Sequence, residues 1–273
     1  MIDPGAKVTA GRWVGVLGRR HRRTAGLLHT AAGSRQAGLD VVVLDVGDAA
    51  PHEAVTMLAD LPAGRRPLGL LLDDAWQEAA AHRCDTLTGG AEALGLADAV
   101  RIGPDGSWQG HHLLAGAMEA ALAGTWPAAA GAPPRAVIAG AGATAVAAAL
   151  AAVRRGVTAI EFVVTDASAW LVAALEEARE SWLADVAWRL TVVDDGFQPA
   201  DAEAGRVWID AAGDQATDPR WLPDAAGSAP CLLLSLDEAA ARAPLGFLHV
   251  EATTPLVMAA GLAVAWYLGP PIP

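Results

Sequence analysis

Residues 135–166, RAVIAGAGATAVAAALAAVRRGVTAIEFVVTD, decide the fold. Arg135–Ala139 is a short apolar run of strand type. It enters Gly140-Ala141-Gly142-Ala143-Thr144-Ala145, an alanine-rich helical stretch follows to about Arg155, and a second apolar run, Ala159–Val164, ends beside Asp166. Strand, Gly-x-Gly-x-x-Ala, helix, strand and acid follow one another at the spacing of a dinucleotide-binding unit. The residue types have physical reasons. Gly140 permits the tight turn off the strand. Gly142, lacking a Cβ, lets backbone approach a pyrophosphate. Ala145 lets helix and strand pack closely. The helix N-terminus offers N–H groups and partial positive charge to phosphates. Gly140, Gly142, Ala143, Thr144, Ala145 and Asp166 are therefore the candidate cofactor-binding residues. The bland alternative is a glycine-rich turn without a ligand.

The 273 residues suit one large or two modest domains, and the 53% hydrophobic content argues against widespread disorder. A net charge of −12 repels phosphate backbones, so nucleic acid is not an expected partner. The only lysine is Lys7, which almost excludes lysine catalysis. Cys84 and Cys231 are far apart and form no zinc-type spacing; reduced, buried thiols are expected. His21, His52, His82 and His249 also lack metal-ligand spacing, so no metal is expected. Residues 1–10 carry no signal-peptide pattern, and the apolar run Leu256–Leu268, about thirteen residues, is too short to span a bilayer. The expectation is a soluble cytoplasmic protein without a membrane partner.

Strands are predicted at Trp13–Leu17, Val41–Leu44, Leu68–Leu72, Asp98–Ile102, Trp188–Val193, Val207–Ala211 and Cys231–Ser235, besides the two in the opening stretch. Helices are predicted at Gly26–Ala37, Glu53–Leu61, Gln77–Cys84, Gly110–Ala123, Ser168–Glu180 and Met258–Tyr267. This alternation argues for an α/β fold of two domains with mostly parallel sheets. Thr125–Pro134, rich in Pro, Gly and Ala, marks the boundary. The N-terminal, substrate-type domain covers 1–124 and is completed by the closing helix at 253–269; the Rossmann-like domain covers 135–249. Trp13, Trp188 and Trp208 fall on strands and are expected in the core.

The order of motifs resembles the shikimate dehydrogenase family over about residues 12–269. Gly15-Val16-Leu17-Gly18, Leu28-His29 and Gly38-Leu39-Asp40 look like its opening strand, substrate loop and first helix. Ala93-Leu94-Gly95 and Pro104–His111 look like its central substrate region, Gly140–Ala145 its cofactor loop, and Val250–Gly269 its last helix, packed back on the N-terminal domain. The resemblance implies two α/β domains, a small-molecule ligand in the cleft between them, and NAD or NADP as cofactor.

Departures from the family pattern follow the same alignment. Arg23-Thr24-Ala25-Gly26 stands where the family has Ser-x-Ser-Pro. Gln77 takes the place of the catalytic lysine and Leu114 that of its partner aspartate. Asp98 replaces the substrate-binding asparagine, and Ala259 the glutamine of the last helix. Reduction of a carbonyl needs a proton donor beside the developing alkoxide, and neither Gln77 nor Leu114 supplies one. Shikimate is therefore not the expected substrate. Replacement chemistry is sought in His111, His112 and Asp73, with Arg23 and Asp98 as substrate-binding candidates. The bland alternative is a solvated acidic turn, two histidines at a helix start and a surface arginine cluster. His29 is expected to be structural; Trp76 is expected to pack in the core or to narrow the cleft.

Thr165-Asp166-Ala167 stands where NADP-dependent members carry Asn-Arg-Thr, which favours NAD over NADP because Asp166 repels a 2′-phosphate and accepts from a free ribose. Alternatively, Asp166 caps the helix that follows. Two functions remain open, besides a non-redox enzyme that reuses the substrate cleft. One is an NAD(P)-dependent oxidoreductase of shikimate dehydrogenase type acting on another substrate. The other is a catalytically inactive relative with a binding or regulatory role. Monomer and homodimer are both compatible with the sequence.

Overall fold

The computed structural model describes residues 12–17, 26–28, 30, 31, 33, 38–44, 49–62, 66–126, 131, 135–166, 168–193, 206–211, 231–235, 247–250 and 253–268. The chain forms two compact units, Met1–Leu113 with Leu256–Pro273, and Leu114–Pro255.

The first unit contains a six-stranded sheet in the order β2-β1-β3-β5-β6-β4. Its strands are β1 (Trp13–Leu17), β2 (Asp40–Val43), β3 (Gly69–Leu72), β4 (Thr86–Thr88), β5 (Ala99–Ile102) and β6 (Trp108–His111). Helices α1 (Pro51–Ala59), α2 (Asp74–Arg83) and α3 (Gly90–Leu94) belong to the same unit. In β1 the residues alternate between two cores, as the two-residue period of a strand requires. Trp13 and Leu17 join Val55 and Leu58 of α1 and Ala80 and Ala81 of α2. Val14 and Val16 join Leu28, Leu39 and the closing helix α7 (Thr253–Leu268), through Ala260, Ala263, Val264 and Tyr267. The last helix thus packs on the N-terminal unit as expected. Val264 is fully buried, a contribution of about 1.5–3 kcal/mol for a side chain of this size. Tyr267 donates its phenol O–H to the Leu70 carbonyl at 2.7 Å.

One expectation for this unit is corrected. Gly110 and His111 lie on a strand, and the helix α4 starts only at Leu113, running to Thr125. The cause is the turn before them. Gly103 N–H donates to the Ser107 carbonyl at 2.8 Å, and Asp105 Oδ1 accepts from Ser107 N–H and Oγ–H at 3.0 and 2.7 Å. This closes β5 and β6 into an antiparallel pair, so the sheet is mixed rather than parallel throughout. Gly110 suits the strand because a Cβ there would meet Leu87 Cδ2 at 2.7 Å and Cys84 Sγ at 2.9 Å. The short elements β4 and α3 were not expected from sequence.

The second unit is a six-stranded, fully parallel sheet in the order β12-β11-β10-β7-β8-β9. The strands are β7 (Arg135–Ala139), β8 (Ala159–Val164), β9 (Ala187–Val192), β10 (Arg206–Asp210), β11 (Cys231–Ser235) and β12 (Phe247–Val250). Helices α5 (Ala143–Arg154) and α6 (Ala169–Arg179) follow β7 and β8. Read from β9, this is the 3-2-1-4-5-6 order of a dinucleotide-binding fold, with the strand order reversing between β7 and β10. The α5 helix buries Ala143 and every residue from Ala145 to Ala152. Its small side chains let it lie close on β7. Arg154 at its end pairs with Glu119 of α4 at 3.7 Å. Trp13 and Trp208 are in the core, whereas Trp188 on the edge strand β9 is only half-buried.

Candidate functional site

The glycine loop has the geometry its residues suggest. Gly140 follows β7 directly with φ +131, a backbone conformation that L side chains rarely adopt. Its N–H donates to the Val163 carbonyl of β8 at 3.0 Å, which pins the turn to the neighbouring strand. Gly142 is the N-cap of α5 and has no side chain to occupy the helix end. Its carbonyl accepts from Ala145 N–H at 2.9 Å and Val146 N–H at 3.3 Å. Ala143 and Ala145 are buried beneath the loop, and Thr144 lies between them. The N-terminus of a three-turn helix therefore opens at the carboxyl edge of a parallel sheet, where the strand order reverses. That is where such sheets bind nucleotides.

Asp166 lies just beyond β8 and is exposed. It does not cap the next helix: the N-cap of α6 is Ser168, whose Oγ accepts from Leu171 N–H at 3.3 Å. Asp210, read from sequence only as part of a strand, closes β10 and is buried, opposite Ala139 in the parallel register. An acid ending an otherwise apolar strand was the signal available for it. Glu161 of β8 accepts from Arg189 Nη2 at 2.7 Å and Thr191 Oγ1 at 2.9 Å. Burial pushes its carboxyl up, but those two bonds and the charges of Arg189 and Arg135 outweigh it and hold the group below its ordinary value.

In the first unit the structure brings Gln77, Asp98 and His112 together. All three are buried, with His112 only 1% exposed. His112 Nε2 is 3.1 Å from Gln77 Oε1, and Nδ1 is 3.3 Å from Asp98 Oδ2. Asp98 Oδ1 accepts from Leu113 N–H at 2.6 Å, satisfying the first residue of α4. Gln77 Nε2 donates to Asp74 Oδ1 at a long 3.5 Å. A continuous polar chain, Asp74–Gln77–His112–Asp98–Leu113, so crosses three segments of sequence. Burial raises the Tyr267 phenol well above its ordinary value, and the nearby Asp98 charge adds to this, so the O–H stays a donor to Leu70.

Asp73 is the N-cap of α2, its Oδ1 accepting from Asp74 N–H at 2.9 Å. His111 is half-buried; its Nδ1 lies 2.9 Å from Thr88 Oγ1, and its ring sits 5.6 Å from that of Trp266. Leu114 is half-buried in the first turn of α4. Ala259 lies on α7. Arg23 and His29 lie outside the described residues, as does His21. Cys84 is a free thiol pushed up to about 12, by burial first and by the Asp85 charge second, against a smaller opposing effect of Arg83. No metal-binding cluster of His, Cys, Asp and Glu occurs among the described residues. No helix among them is long and apolar enough to cross a membrane.

No protein-family model matches the sequence, and no curated protein matches it. Solved structures do. Shikimate dehydrogenase of Mycobacterium tuberculosis is similar at a TM-score of 0.67 and 21% identity, over 96% of this chain and 95% of that one. The ligand-free 5-ketofructose reductase of Gluconobacter sp. strain CHM43 gives a TM-score of 0.73 at 17% identity, over 95% and 93%. Quinate dehydrogenase from Corynebacterium glutamicum, solved with NAD, gives 0.70 at 16% identity, over 94% and 93%. This chain shares the two-unit α/β fold of shikimate and quinate dehydrogenases.

Proposed function

We propose that this chain is an NAD(P)-dependent oxidoreductase that prefers NAD(H) and acts on a substrate other than shikimate. One observation carries the cofactor half: the glycine loop sits at the strand-order reversal with Gly140 at positive φ and Gly142 at the helix N-cap. The residues present fit a dinucleotide. Gly140, Gly142, Ala143, Thr144 and Ala145 would hold the pyrophosphate, and Asp166, exposed and relieved of capping by Ser168, would accept from the ribose diol. When bound, the dinucleotide supplies or takes a hydride.

The substrate half rests on the first unit. Proton transfer beside a carbonyl needs a titratable group, and Gln77 is not one. His112 and Asp98 are the titratable pair linked to Gln77, so a proton can be held at His112 while the Gln77 amide is oriented by it. His111 and Asp73, both near this chain in sequence, and Arg23 complete the set of candidates for binding and proton transfer. Aligning Gln77 and Leu114 with the lysine and aspartate of shikimate dehydrogenases argues against shikimate itself.

The second function, a catalytically inactive protein with a binding or regulatory role, is favoured by one specific observation. His112 and Gln77 are buried and already bonded to each other. Calorimetric titration with NAD, NADH and NADP, followed by shikimate oxidation assays with each, tests both. Binding of NAD(H) tighter than NADP, reversed in Asp166→Arg, with no shikimate oxidation, is expected. Equal affinity for NADP or turnover of shikimate would overturn the cofactor or substrate half respectively. No binding of any dinucleotide would leave only the second function.

A further inference from the structure

The polar chain of the first unit runs between two carboxylates, Asp74 and Asp98, and a carboxylate accepts hydrogen bonds only. The direction of each bond between them follows. Asp74 is the first residue of α2 and Gln77 lies three positions on, a spacing that sets both on one side of the helix. Asp74 Oδ1 is 3.5 Å from Gln77 Nε2, so the amide turns its NH2 toward Asp74 and its oxygen toward His112. With the amide so turned, His112 Nε2, 3.1 Å from Gln77 Oε1, must carry a hydrogen. On the other side of the ring, Nδ1 is 3.3 Å from Asp98 Oδ2, while Asp98 Oδ1 already accepts from Leu113 N–H at 2.6 Å. A bare Nδ1 would set lone pair against lone pair, so a second hydrogen lies in that contact.

His112 is buried, so bulk water does not complete these bonds in another way. Asp74 comes from α2 and Asp98 from the residue before β5. Tyr267 comes from α7; it feels the Asp98 charge but gives its O–H to the Leu70 carbonyl. A second arrangement satisfies His112 equally well: Gln77 Nε2 donates to a bare His112 Nε2, and Nδ1–H donates to Asp98. It sets Gln77 Oε1 against the Asp74 carboxylate, acceptor on acceptor, and Asp74 is what opposes it. We infer that Asp74 is a positioning residue: by holding the Gln77 amide, it keeps a hydrogen on each side of the His112 ring, so that the His112–Asp98 pair holds a proton in reserve. The inference deepens the substrate half of the function proposed above and rests on it for the use of that proton.

Nitrogen-15 NMR of the histidine rings, at neutral pH and without cofactor or substrate, reads these hydrogens directly. The His112 signals are those absent from His112→Gln and slowest to exchange with solvent. Melting curves establish that each variant is folded. Wild type is expected to show a hydrogen on Nε2 and a second in the Nδ1–Asp98 contact. Asp74→Ala leaves the amide able to turn and is expected to lose the Nε2 hydrogen, keeping only that on Nδ1. Adding Gln77→Glu to Asp74→Ala puts a carboxylate against Nε2 and is expected to restore the lost hydrogen. A purely structural role for Asp74 would shift the melting temperature without changing which ring nitrogen carries hydrogen. A bare Nε2 in wild type would overturn the inference. So would an Nε2 hydrogen retained in Asp74→Ala, or one not restored in the double variant. These spectra need no dinucleotide and no turnover, so their failure is distinct from failure of the proposed function, which the calorimetric titrations and oxidation assays test.

Discussion

Replacing Asp98 by alanine removes two interactions at once, and their sizes can be worked out separately. The carboxylate is buried, accepts from Leu113 N–H at 2.6 Å, and faces His112 Nδ1 at 3.3 Å. A buried N–H left without an acceptor costs about 1–3 kcal/mol. Leaving the buried His112 Nδ1 without its polar partner costs a similar amount, about 1–3 kcal/mol. The two losses share one carboxylate and are not additive, so the expected destabilisation of Asp98→Ala is about 2–4 kcal/mol. Asp98→Asn keeps an oxygen for Leu113 N–H and is expected to lose about 1–2 kcal/mol. Urea unfolding followed by tryptophan fluorescence measures both, and thermal melting should show a drop of roughly 10 °C for Asp98→Ala. If Asp98→Ala lies within about 0.5 kcal/mol of wild type, the polar chain does not hold the start of α4 and the reasoning is wrong.

Other outcomes are expected from single groups. The Glu161 carboxyl lies below its ordinary value of 4.5 in the folded state, so its stabilisation is complete above pH 4.5 and disappears as pH falls through the lowered value. Glu161→Gln should therefore lose less stability than wild type between pH 7 and pH 3 in parallel urea titrations. With its thiol pushed up to about 12, Cys84 should react slowly with a disulfide reagent at pH 8 in the Cys231→Ser background, and rapidly once the protein is unfolded. A fast native reaction would show that the thiol is not protected. Gly140→Val forces a side chain into φ +131, at a cost of about 1–3 kcal/mol in strain, and should abolish dinucleotide binding in the same titration.

The second unit was legible in sequence because its signals are local. The turn residues, the small-residue helix and the two apolar strands of 135–166 follow one another in order, so one window of sequence holds the strand–helix–strand segment that starts the sheet. The placement of Asp166 was legible too, but its role relative to Ser168 was not: both are acceptable caps, and only the bond from Leu171 N–H decides between them. The first unit was less legible for physical reasons. β4 and β6 are short, and Trp-Gln-Gly-His lacks the alternation that marks a strand; pairing with β5 across the Asp105 turn overrides its weak propensity. The association of Gln77 with His112 spans 35 positions, and no spacing rule reaches that far. Gln77, Asp98 and His112 were each singled out, yet what joins them is the β5–β6 register together with the seat of α2.

The glycine loop at Gly140–Ala145 acts as a nucleotide cradle or the proposed function fails. Diffraction from crystals grown with NAD tests it directly: the pyrophosphate is expected over Gly142 at the N-terminus of α5, with a ribose hydroxyl within hydrogen-bond distance of Asp166. A dinucleotide bound elsewhere, or no bound dinucleotide at a concentration that saturates binding in solution, would contradict it.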